Sequence, residues 1–239
     1  MKLFIRIFTI LIFTFLTFAV TANAQQTIFI VPSSDVLDKG KVYFELDATF
    51  RFDRTRSVGK FSSFVPRVVI GAGGSVEVGL NVTGNINPGT DSTTLVPAFK
   101  WRVYNGEKNG VQVVVGDNLF IPVRNKSYNV GNYAYAQASK TFKTKTRVTA
   151  GGYYFTKNVV STKARGGGQF GFEQPINDKF GIAADWYTGK NAAGYFTPGI
   201  NFKPHPKVTG YVGYSIGNDN PTTNNFFYAA VGINLLSDK

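Results

Sequence analysis

The chain has 239 residues, a formal charge of +12 and no cysteine. These values exclude a disulfide-stapled secreted scaffold and any thiolate metal centre. A mean hydropathy of −0.06 argues against a bundle of membrane helices. It does not argue against a barrel, whose alternating strands average to near neutral.

The N-terminus has the pattern of an export signal. Lys2 and Arg6 are basic, residues 7–20 are apolar apart from Thr9, Thr14 and Thr17, and Ala22-Asn23-Ala24 precedes Gln25. This predicts a signal peptide over residues 1–24, cleaved at the A-x-A site. Residues 25–40 carry Pro32, Ser33, Ser34, Asp35 and Gly40. They read as an N-terminal periplasmic segment, an entry stretch or plug edge. Residues 41–239 are expected to form the barrel.

Residues 41–53 alternate without a break. Val42, Phe44, Leu46, Ala48, Phe50 and Phe52 are apolar; Lys41, Tyr43, Glu45, Asp47, Thr49, Arg51 and Asp53 are polar or amphipathic. A period of two sends the sets to opposite faces of a strand. The run exceeds the roughly 5–6 residues of a globular strand and reaches the about 9–11 needed to cross a bilayer at a tilt.

Similar runs follow near 61–72, 75–85, 94–104, 111–121, 128–141, 147–155, 166–175, 180–188, 195–202, 208–216 and 226–235. The fifth is irregular in phase, which predicts a bulge near Gly116. Twelve strands is an even number, placing both termini at one end. The connections then sort: short turns after even runs, mostly longer loops after odd ones, as in barrels with short periplasmic turns. Pro66, Pro97, Pro175 and Pro198 fall in or at the ends of runs. Proline lacks a ladder donor, so each is expected at a rim or a bulge.

The phase of each run gives a candidate lumen lining: Lys41, Glu45, Asp47, Arg51, Arg67, Glu77, Lys100, Arg102, Tyr133, Tyr135, Arg147, Glu173 and Asp185. Lipid-facing Arg or Lys near the midplane costs about 2–4 kcal/mol, so inward is the cheaper side. These charges can brace the barrel by pairing, or Lys100, Arg102 and Arg147 can attract anions. Tyr133 and Tyr135 can stack on a solute or simply pack. Trp101, Tyr154, Trp186, Phe196 and Tyr214 take the lipid phase. His205, the only histidine, lies between Pro204 and Pro206 in a turn, without partners for base catalysis. The glycine run 71–75 reads as a hairpin, since no helix follows it.

Residues 166–189 (GGGQFGFEQPINDKFGIAADWYTG), residues 196–218 and the run AYAQASKTFKTKTRVTAGGYYF resemble small bacterial outer-membrane barrels. They are closest to the group labelled after a phenol-degradation (MetA) pathway. The resemblance implies an outer-membrane location and a transport role.

The expectation is therefore an all-β transmembrane up-and-down barrel of about 12 strands in the bacterial outer membrane. Its expected function is a passive, porin-like channel for small polar solutes, anions among them. The alternative is a structural or adhesive barrel with a plugged lumen, acting through its external loops. No enzyme activity, cofactor or metal is expected. Outer-membrane lipid and lipopolysaccharide are the expected surroundings. The positive charge does not point to nucleic acid, because the chain is exported and its basic residues are scattered. A monomer is favoured, and a soluble secreted β-sandwich is the competing fold.

Overall fold

The computed structural model describes residues 26–51, 61–83, 93–124, 129–219 and 225–236. The signal-peptide expectation, residues 1–24, lies outside them. Twelve strands are found among the described residues: β1 (Val42–Arg51), β2 (Phe61–Gly73), β3 (Val76–Thr83), β4 (Thr93–Gly106), β5 (Val111–Arg124), β6 (Gly131–Thr141), β7 (Arg147–Phe155), β8 (Gly166–Pro175), β9 (Phe180–Tyr187), β10 (Tyr195–His205), β11 (Val208–Gly217) and β12 (Phe226–Leu236). Each pairs antiparallel with its chain neighbours, and β1 pairs with β12 to close the barrel. Closure leaves no unpaired sheet edge.

The connections after even strands span 2 to 5 residues, and those after odd strands 6 to 10. One end of the barrel is therefore tight and the other carries long loops. The tightest turn follows β2, where Gly73, Gly74 and Ser75 have φ of 92°, 62° and 61°. Glycine adopts that left-handed backbone without steric cost.

The faces are inverted relative to a soluble protein. Leu46, Ile70, Val78, Leu80, Phe99, Trp101, Tyr154, Trp186 and Phe196 are exposed on the outside. Glu45, Asp47, Glu77, Lys100, Gln137, Gln169 and Asp185 are buried inside. Period-two alternation produces this arrangement directly.

Two local expectations are corrected. The β5–β6 register runs unbroken from Val111 to Phe120, so Gly116 is not a bulge. The nearby irregularity lies on β4, between Arg102 and Tyr104. A Cβ on Gly116 would stand 2.3 Å from the Tyr135 ring, so glycine there makes room for that ring.

The prolines form the second correction. Pro66, Pro97 and Pro198 sit inside strands, opposite Leu46, Leu80 and Ala184. In each case the ladder on the other side is interrupted. The β2–β3 register begins at Arg67. The β4–β5 register skips from Leu95 to Ala98, and the β10–β11 register from Phe196 to Gly199. A residue without an N–H is tolerated where no partner awaits it. Pro175 ends β8.

Candidate functional site: the filled lumen

A twelve-stranded barrel is wider than the roughly eight strands whose side chains can fill a lumen. The extra space is occupied by the chain's own residues 26–37. Thr27 bridges Pro32, Ile28 N–H donates to Val31 O at 2.8 Å, and Ser33 N–H to Gln26 O at 3.0 Å. These contacts make a small hairpin whose tip is Ile28-Phe29-Ile30-Val31. Phe29 and Val31 are 1% and 0% exposed. Of residues 25–40, read from sequence as a periplasmic entry stretch or plug edge, Gln26 to Leu37 thus run inside the barrel, and Asp38, Lys39 and Gly40 are exposed. The hairpin returns to β1 through a turn on β2, where Gly40 N–H donates to Gly71 O at 2.9 Å.

The wall groups aimed at the hairpin mostly reach its main chain. Asp185 Oδ2 on β9 accepts N–H groups of Phe29, Ile30 and Val31 at 2.8, 2.6 and 2.7 Å. Glu77 Oε2 on β3 accepts Leu37 N–H at 2.9 Å and the Gln26 side-chain amide at 3.2 Å. Lys100 Nζ donates to Asp35 O at 2.8 Å and pairs with Glu77 Oε1 at 2.8 Å. Gln137 donates to Pro32 O, and Tyr187 Oη to Ile30 O at 3.4 Å. Apolar pockets receive the tip. Phe29 meets Tyr211 and Tyr228 edge-on at 6.4 and 5.8 Å, and Val31 packs in the cluster of Tyr133, Tyr135, Tyr153, Phe155 and Tyr187.

The remaining inward charges pair with one another. Arg67 reaches Glu45 at 2.6 Å, Asp47 at 3.1 Å and Asn81 at 2.9 Å. Tyr43 donates to Glu45 at 2.6 Å and Tyr228 to Asp47 at 3.0 Å. Arg147 grips Glu173 through Nε and Nη2 at 2.5 and 2.8 Å, and the hairpin's Asp35 through Nη1 at 2.8 Å. A two-pronged grip of this kind suits the planar guanidinium.

Of the candidate residues, Glu45, Asp47 and Arg67 form one cluster, Glu77 and Lys100 a second, and Arg147 and Glu173 a third. Asp185 serves the hairpin tip. Tyr133 and Tyr135 stack at 5.1 Å within the aromatic cluster. Arg51 is buried at the β1 terminus. Lys41 stands one residue before β1, half-buried, and Arg102 lies half-buried at the tight-turn end. Gln137 and Gln169, which link Tyr133 to the hairpin, were absent from the sequence-derived set, as was the hairpin. Their inward phase on β6 and β8 was the available signal. A cavity of ≈ 90 Å³ remains beside the hairpin, lined by Thr27, Arg67, Asn81, Lys100, Asn118 and Tyr135 among others. It is well below the roughly 300–1,000 Å³ of small-molecule sites.

One polar pair takes the opposite face. Asp117 on β5 and Asn132 on β6 share the outward phase of Val115, Leu119 and Ala134, and Asn132 donates to Asp117 at 2.7 Å.

A closed antiparallel barrel with an apolar outside and a charged, paired inside is a transmembrane β-barrel. It is a 12-stranded barrel of the bacterial outer membrane. No protein-family model and no curated protein matches the sequence. Among solved structures, the chain is similar to outer membrane phospholipase A from Escherichia coli, with 12% identity and a TM-score of 0.49, over 90% of this chain and 99% of that one. A calcium-bound Salmonella typhi outer membrane phospholipase dimer gives 12% and 0.48, over 85% and 93%. A mutant Rh. blastica porin gives 12% and 0.30, over 82% and 99%. The flat expectation of no enzyme activity is corrected accordingly: the barrels it resembles include enzymes, so the exclusion is withdrawn. Likeness at this level assigns no catalytic residue to this chain.

Proposed function

We propose that the protein is a gated outer-membrane pore for small polar solutes, closed at rest by its N-terminal hairpin. The observation that carries this reading is the seating of residues 26–37 in the lumen through polar contacts rather than a continuous strand ladder. With the hairpin in place, the cavity beside it holds only a few waters, and in this reading passage follows movement of the hairpin. Its departure would bare Lys100, Arg147, Glu77 and Asp185 together.

The inward charges bear on selectivity. Arg51, Arg67, Lys100, Arg102 and Arg147 stand against Glu45, Asp47, Glu77, Glu173 and Asp185. The balance supports weak discrimination by charge. An anion preference would rest on Lys100, Arg102 and Arg147, two of which are paired with carboxylates at rest.

The test is conductance in planar bilayers. Wild type is expected to be mostly closed, and Asp185→Ala to show sustained openings. A folded Asp185→Ala barrel with no current would sink the pore reading. The protein would then be a plugged structural barrel acting through its loops, a reading favoured by the dense bracing of the lumen.

A further inference from the structure

We infer that the lumen is a binding site for a short peptide, filled at rest by the chain's own residues 26–37. This rests on the reading above, in that the hairpin must be able to leave.

The wall recognises polypeptide rather than particular side chains. Asp185 takes three consecutive main-chain N–H groups on one oxygen. Its other oxygen, Oδ1, is buried and has no hydrogen-bond partner among the described residues. Glu77 takes a fourth main-chain N–H. Lys100, Gln137 and Tyr187 donate to main-chain carbonyls. Any peptide offers these groups, whereas a sugar or a small acid does not offer them in this arrangement.

Three features narrow the peptide. The aromatic pocket of Tyr211 and Tyr228 takes a large apolar side chain at the tip. Gly171 leaves space for its neighbour: a Cβ there would stand 2.1 Å from Ile28 Cδ1. Arg147 takes a carboxylate four residues beyond the tip's last residue, in the place of Asp35. The ligand class is a peptide of about ten residues with an apolar turn followed by an acidic residue. Competition with the resident hairpin would make peptide binding and gate opening one event.

The test uses the full-length chain in detergent and a dye-labelled synthetic peptide of residues 26–36. Phe29→Asp drops a carboxylate into the aromatic pocket beside Asp185 and should evict the hairpin while leaving the wall unchanged. Fluorescence anisotropy should show saturable binding to Phe29→Asp, at least about tenfold tighter than to wild type. N-methylation of the peptide at the Ile30 position should weaken binding about tenfold. No saturable binding, equal binding by both proteins, or indifference to N-methylation would each overturn the inference. Ile30→Pro, which removes one main-chain donor, is the second variant, and heat-modifiable migration reports folding of both. If neither folds, the hairpin is part of the fold and not a ligand, and the inference falls. A variant that binds peptide but carries no current would sink the pore and leave the peptide site. One that conducts but binds no peptide would do the reverse.

Discussion

Asp185 Oδ2 accepts the main-chain N–H of Ile30 at 2.6 Å, joining two residues 155 positions apart in the chain. With the flanking bonds from Phe29 and Val31, it ties the hairpin tip to the middle of the barrel. Replacing Asp185 by alanine leaves three buried donors unpaired, each costing about 1–3 kcal/mol. Limited proteolysis should cut Asp185→Ala within residues 26–37, where wild type is protected. Asp185→Asn, which keeps one acceptor oxygen, should fall between them.

Arg67 holds two carboxylates at once. Arg67→Ala strands Glu45 and Asp47 beside each other in a buried site. The expected loss is about 3–5 kcal/mol, read as a lower denaturant midpoint for the folded, heat-modifiable band. A variant with Arg67, Glu45 and Asp47 all replaced by apolar residues of similar volume should recover most of that loss. No difference between the two variants would contradict the bracing role.

Arg147 reaches both a neighbouring strand, through Glu173, and a hairpin side chain, Asp35. Arg147→Lys keeps the charge but cannot reproduce the fork to Glu173 plus the contact to Asp35. It should open the hairpin to proteolysis nearly as much as Arg147→Ala. A double-mutant cycle with Asp35→Ala should give a coupling of about 0.5–3 kcal/mol, since the two groups are in direct contact.

The outward pair Asp117 and Asn132 sets polar atoms against the lipid-facing side. Replacing both by valine removes a desolvated polar pair and should raise resistance to denaturant. Asp117→Val alone should gain less, because Asn132 then loses its partner.

Arg102 makes none of the hairpin contacts described above and has the inward phase at the tight-turn end. In a pore opened by Asp185→Ala, Arg102→Glu should move the salt-gradient reversal potential toward cations. An unchanged potential would remove Arg102 from the conduction path.

Much of the barrel was legible because period-two alternation is local. A run such as 41–53 declares its two faces, and the alternating lengths of the connections separate a tight-turn end from a long-loop end. The inward charges followed from the same phase. The hairpin was not legible. Ile28–Val31 is four apolar residues with no period, and its partners lie on β6, β7, β9, β11 and β12. Pairings of that range leave no local mark. The three prolines misled for a related reason, because a strand's sequence does not say which neighbouring ladder is interrupted. Asp117 was missed because the phase of β5 looked broken at Gly116, when the glycine only clears space for Tyr135.

The position of the hairpin also constrains the order of assembly. It precedes β1 in the chain, yet its principal anchor, Asp185, belongs to the ninth strand. Its three bonds to Asp185 therefore cannot form until three quarters of the polypeptide has been laid down. The loop that must close to bring Ile30 to Asp185 is among the longest available to this sequence, and long closures are slow. The first described segment of the chain is thus among the last to reach its place.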